Sequence, residues 1–177
     1  MNFLYNIFLA VNATSWVVVL YGIKEEWTIT PLPSWLFGIC LLLGPILLSW
    51  ISIFLTLFLG KDSLDECDDL EEANNSFLPT YLGYFFVGLG VEKFQHLAFV
   101  YLIILIFTYV AQTQYFNPIF LLFGYRFYHA KTKKGTKIFI IVKNKLRRAD
   151  EVIFDNLRRI NDTTYIARRE KDEPTNG

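Results

Sequence analysis

The feature that most constrains this chain is the run from Phe3 to Ile23, 21 residues without a charged side chain. At about 1.5 Å per residue, a helix of that length crosses a hydrocarbon layer roughly 30 Å thick. No Lys or Arg precedes the run and no small-x-small cleavage pattern follows it, so it reads as a retained helix rather than a removed leader. Three more apolar stretches follow: Trp35 to Gly60, Phe77 to Val91 and Phe94 to Gln112. The chain is 53% hydrophobic and 18% aromatic, and its apolar residues cluster instead of alternating with charge. The expected class is an α-helical polytopic membrane protein: four transmembrane helices in residues 1–116, a small cytosolic α+β domain at 117–170, and a disordered tail at 171–177.

Within the spans, a few residues stand out as packing positions. Asn12 lies mid-span and is expected to hydrogen-bond to another helix. Gly44 and Pro45 should kink the second span, because Pro45 has no N–H to donate. Gly83 and Gly88 allow close approach along the third, which is short enough that a re-entrant segment is the alternative to a full span. Trp27 and Trp35 bracket a short polar loop, as in an interfacial aromatic belt, and Pro33 and Ser34 suit the start of the second helix. The spans contain no Asp, Glu, Lys or Arg, which lowers the case for an ion-coupled transporter.

The formal net charge of zero averages regions of opposite sign. Residues 113–177 hold 14 Lys/Arg against 7 acids, and residues 61–76 hold one Lys against 7 acids. By the positive-inside rule the basic tail is cytoplasmic. With four spans, the N-terminus and the acidic loop at 61–76 share that side. The loop reads as a solvated segment or a short surface helix, with Leu64, Cys67/Asp68, Leu70 and Glu71 as its amphipathic pattern. Opposite charges on one side predict attraction between loop and tail, within a subunit or between copies.

Asn117-Pro118 ends the fourth span, and Gly124 frees the chain to turn. Tyr125 to Lys131 and Thr136 to Val142 read as a β-hairpin around Gly135. Asp150 is placed to cap a helix from Glu151 to Ile160, and Thr163 to Arg168 reads as a third strand. A unit of about 50 residues is marginal alone and needs the membrane surface, the acidic loop or a neighbouring subunit to complete it.

No catalytic motif, phosphate-binding loop or metal-ligand spacing is present, so the chain reads as non-enzymatic and without cofactor. His96 and His129 read as packing or interface residues, and Cys40 and Cys67 as reduced thiols. The acidic loop lacks the 12-position pattern of a calcium site. Candidate cytosolic contacts to a partner or to lipid are Asp65, Glu66, Asp68, Asp69, Glu71 and Glu72 in the loop, and Lys133, Lys134, Arg147, Arg148, Arg158 and Arg159 in the tail. The basic residues fit anionic lipid, an acidic partner (the chain's own loop included), or nucleic acid. Nucleic acid ranks last, since aromatic and basic residues do not interleave as in single-strand binders.

The four-span layout and the stretch NPIFLLFGYRFYHAKTKKGTKIFIIVKNKLRR after the fourth span resemble KwaA, the membrane family of the Kiwa anti-phage system. The resemblance implies a bacterial inner-membrane homo-oligomer, a tetramer among its options, that detects phage attack. It also implies a cytosolic, DNA-associated partner, KwaB, that executes the defence. The expected function is therefore a membrane sensor or scaffold coupled to an effector, with no direct nucleic-acid binding. A small oligomeric channel or pore-forming effector is the alternative.

Overall fold

The computed structural model describes residues 2–29, 32–64, 67–74, 77–111, 117–143, 145–149 and 154–167. The chain divides into two compact units. One is helical, Phe3–Leu55 with Asn75–Ile119; the other comprises Thr56–Asn74 and Phe120–Gly177, with Met1–Asn2.

The helical unit contains α1 (Asn2–Lys24), α2 (Ser34–Leu55), α3 (Leu78–Gly90) and α4 (Phe94–Ala111). Three stretches are long and apolar enough to cross a membrane: Phe3–Lys24, Ser34–Phe58 and Phe94–Ala111. The third expected span, α3, has 13 residues, which at about 1.5 Å each is some 10 Å short of a hydrocarbon layer. α2 continues through Pro45.

α1 is the central helix. Of its most apolar stretch 44% is buried, against 17% for α2 and 11% for α4. Val17 and Tyr21 of α1 pack with Tyr81 and Tyr84 of α3 and Leu97 of α4. The approach of α3 to α1 is close at Gly88, where an added Cβ would lie 2.9 Å from both Leu20 Cβ and the Val17 carbonyl oxygen. The outer faces are apolar throughout, with Trp35, Leu47, Trp50, Phe86, Phe99, Phe107 and Val110 all exposed. That is the pattern of helices whose surroundings are hydrocarbon.

The second unit is a six-stranded sheet. Its strands are β1 (Lys61–Leu64), β2 (Cys67–Glu72), β3 (Arg126–Thr132), β4 (Lys137–Val142), β5 (Phe154–Arg159) and β6 (Thr164–Ala167), in the order β1-β5-β6-β4-β3-β2. All pairs are antiparallel except β4 with β6. The strands at the two ends of that order are consecutive in sequence. Leu64 and Cys67 are three peptide steps apart, about 11 Å when extended. Six strands laid flat about 4.8 Å apart would separate the ends by about 24 Å. The sheet is therefore curved enough to bring its two end strands, β1 and β2, within that reach.

Two expectations are corrected here. The acidic loop is not a surface helix or an irregular loop; it supplies β1 and β2, with Asp68, Asp69, Glu71 and Glu72 exposed to solvent. Its helix-like spacing has a simple origin. Cys67 stands opposite Thr132 and Leu70 opposite Ala130, with a register shift between Cys67 and Asp69. The bulge brings residues three apart onto one face of a strand. The second half of the expected helix Glu151 to Ile160 is strand β5, because pairing with β1 and β6 overrides a local 3.6-residue pattern; residues 150–153 lie outside the described residues, as does the tail 171–177. The hairpin stands within a residue of its expected bounds, with Gly135 at φ 83°. The third expected strand is β6.

β4 is buried along both faces, which explains its continuous apolar run KIFIIV. One face joins Cys67, Tyr128, Ala130, Ile138, Ile140, Val142, Leu146, Leu157 and Ala167 in a single cluster, and the Leu146 N–H donates to the Tyr128 hydroxyl at 3.0 Å. On the other face Phe127 stacks on Phe139 with centroids 5.8 Å apart. Phe120, from the short helix α5 (Pro118–Leu122), lies 6.5 Å from Phe127.

Candidate functional site

The charged candidates of loop and tail meet on the sheet. Asp68, Asp69, Glu71 and Glu72 belong to β2, which pairs with β3 of the basic tail. Asp69 stands opposite Lys131, and Glu71 opposite His129. Glu72 reaches Arg126 at 3.5 Å. Both side chains of that pair are nearly half exposed, so it is worth only a few tenths of a kcal/mol, to about 1 at most. The side-chain oxygens of Asp62 and Asp69 each accept the following residue's N–H at 2.9 Å, using donors that an incoming strand would need. Asp65 and Glu66 lie outside the described residues.

The basic candidates divide into two groups. Lys133 and Lys134 occupy the exposed β3–β4 turn, with Lys131 and Lys137 paired just below them. Arg147 and Arg148 are exposed in the segment after β4. Arg158 and Arg159, by contrast, are half-buried and engaged within the chain. Arg158 donates to the Leu59 carbonyl at 2.9 Å, and Arg159 pairs with Asp162 at 2.7 Å and donates to the Asn161 carbonyl at 3.1 Å. The lysine turn is thus the more exposed surface for an anionic contact, and the β5 arginines bond to the sheet's own loops.

The helical unit has a buried polar node that the sequence marked only at Asn12. The Ser49 hydroxyl accepts an N–H from Asn12 at 3.0 Å and one from Asn117 at 3.0 Å, and donates to the Pro45 carbonyl at 2.7 Å. The Asn117 side-chain oxygen accepts the Ile119 N–H at 3.0 Å. Below the node, Ser52 donates to the Ser49 carbonyl, and Tyr5 donates to the Ser52 carbonyl. Asn12, Ser49 and Ser52 are fully buried. In hydrocarbon such groups need protein partners, so the node ties α1, α2 and Asn117, just before α5, together. The signal that would have found it is the spacing of Ser49, Ser52 and Thr56 along one face of an otherwise apolar run.

Pro45 is buried at the node, Gly88 makes the close approach to α1, and Gly44 and Gly83 have no neighbour within 4 Å of an added Cβ. His129 lies against Phe139 with centroids 5.3 Å apart, and His96 is exposed near the start of α4. Among the described residues there is no group of His, Cys, Asp and Glu suited to a metal ion. Burial, and then the neighbouring Asp68 charge, pushes the Cys67 thiol above its usual pKa, which makes it a poor nucleophile.

No curated protein and no solved structure matches the chain. A family model does, over residues 5–166, and its description is anti-phage protein KwaA. The match runs from within α1 to within β6 and so spans both units, and the chain belongs to the KwaA family of anti-phage proteins.

Proposed function

We propose that the chain is a membrane sensor or scaffold in anti-phage defence. It assembles with copies of itself and presents the curled sheet to a cytosolic, DNA-associated effector of the KwaB kind. The observation that carries this reading is the shared sheet. Strands from the acidic loop pair with strands from the tail, so both lie on one side of any membrane the helices cross. An even number of crossings then separates them, and α3 with its flanking residues returns the chain that α4 carries back. The 14 basic residues of the tail support the cytoplasmic side, and with it cytoplasmic termini.

Support for a non-enzymatic, scaffold-like role comes from where the polar groups go. In the helical unit the hydroxyls and amides of the node bond to one another inside the bundle. In the sheet unit the exposed charged turn is the surface a partner or an anionic leaflet would meet.

The test is co-purification. Detergent-extracted protein should retain the cytosolic effector, and Lys133→Glu with Lys134→Glu should release it while leaving the helical content unchanged. Undiminished capture by the double variant would remove the lysine turn as the contact. Ion flux from liposomes holding the protein alone would favour the channel alternative instead.

A further inference from the structure

The end of α1 contains a conformation that its sequence does not favour. The Glu26 N–H donates to the Ile23 carbonyl at 3.2 Å and the Trp27 N–H to the Gly22 carbonyl at 2.9 Å, the paired bonds of a helix end that turns through the left-handed region. Glu26 occupies the left-handed position with φ 47°, and it is the only positive-φ residue other than glycine among the described residues. α5 ends with the same bonds, Gly124 to Leu121 and Tyr125 to Phe120, and there the position is glycine with φ 81°. The chain thus uses the ordinary residue at one such end and a carboxylate, which bears a steric cost, at the other.

Glu26 is among the residues that line a cleft of about 390 Å³ between the end of α1 and the start of α2. Gly22, Trp27, Trp35, Gly38 and Leu42 are among the residues that line it. Two glycines shape the cleft. An added Cβ at Gly22 would lie 2.9 Å from the Trp27 ring, so glycine lets the indole fold back over the helix end. At Gly38 nothing lies within 4 Å, so the missing side chain leaves the floor open. Trp35, Ile39 and Leu42 are exposed, and the cleft opens on the apolar outer face of α2.

The charge of the cleft has one sign. Lys24, the nearest cation in sequence, is occupied: it donates to the Val91 carbonyl at 2.7 Å and pairs with Glu25 at 3.3 Å. Glu26 has no ion pair or side-chain hydrogen bond among the described residues. An apolar trough, two indoles and one uncompensated carboxylate complement the ammonium group and acyl chain of an amphiphile. We propose that this cleft binds a membrane phospholipid with an ammonium headgroup. The ammonium meets the Glu26 carboxylate beside the Trp27 and Trp35 rings, and an acyl chain lies along Gly38 and Leu42.

The proposal rests on α1 and α2 being membrane spans, which carbonate extraction of membranes tests separately. For the site itself, the protein in detergent is titrated with phosphatidylethanolamine or phosphatidylglycerol of matched chains, and bound lipid is read by native mass spectrometry. The wild type should retain the ethanolamine lipid about tenfold better, a difference of roughly 1.4 kcal/mol. Glu26→Gln should bring the two lipids level. Glu26→Gly should do the same while raising the thermal midpoint, because glycine relieves the backbone. Gly38→Leu adds a side chain in the trough, where a Cβ meets nothing within 4 Å, and should reduce retention of the ethanolamine lipid to background. Equal retention of both lipids by the wild type, or undiminished selectivity in Glu26→Gln, overturns the proposal.

Discussion

The two units of this chain are built inside out with respect to each other. In the sheet unit Phe127, Ile140, Ile141, Leu157 and Ile166 are inside, and lysines and carboxylates are outside. In the helical unit Asn12, Ser49 and Asn117 are inside, and Trp50, Phe86, Phe99 and Phe107 are outside. The same physical rule acts in two solvents. Water drives apolar groups together, whereas hydrocarbon leaves them indifferent and forces polar groups to find one another. The difference teaches where each unit is fragile: the sheet in its aliphatic core, the helices in a few hydrogen bonds.

Truncation should expose that contrast most strongly. Ile140→Ala removes a fully buried side chain from the sheet core and should cost about 2–5 kcal/mol. Leu47→Ala, on the outer face of α2, should change stability by less than about 0.5 kcal/mol. Thermal unfolding of the two variants in one detergent checks this, and equal losses would break the two-solvent account. Ser49→Ala comes next. It leaves the side-chain amides of Asn12 and Asn117 without their shared acceptor and should cost about 1–2 kcal/mol, read by denaturant titration in mixed micelles.

The thiols sharpen the comparison by reactivity. Cys40 is exposed on α2, a helix long and apolar enough to cross a membrane; Cys67 is buried in the sheet. A membrane-soluble maleimide should label Cys40, and a charged one should not. Cys67 should react with either only on unfolding. Because its folded pKa is raised, first by burial and then by Asp68, the protonated thiol is the form the fold prefers. The stability this gives is complete below the ordinary thiol pKa and is lost as pH rises through the raised value. The reverse trend would contradict its burial. The smallest effect belongs to Glu72→Gln, whose pair with Arg126 is nearly half exposed; a loss under about 0.5 kcal/mol, erased by salt, is expected.

What the sequence reveals divides along the same line. Helices α1, α2 and α4 and the β3–β4 hairpin are set by local information: run length, Pro33 and Ser34, and Gly135 in a left-handed turn. β1, β2 and β5 are not, since each is fixed by a partner distant in sequence, as Lys61 is by Arg158 and Leu70 by Ala130. A bulge gave β2 the spacing of a helix. The node was legible at Asn12 alone, because Asn117 declared itself only as a helix stop before Pro118, and serines within an apolar run carry little signal by themselves.

The central claim is that the acidic loop and the basic tail form one sheet on the cytoplasmic side. Single cysteines at Asp69 and Lys133, introduced into a chain with Cys40 and Cys67 replaced by serine, test it with an impermeant thiol reagent. The account predicts that both are protected in intact cells and both react in inside-out vesicles. Labelling of the two positions from opposite sides would contradict the shared sheet, and labelling of both from outside would contradict its placement.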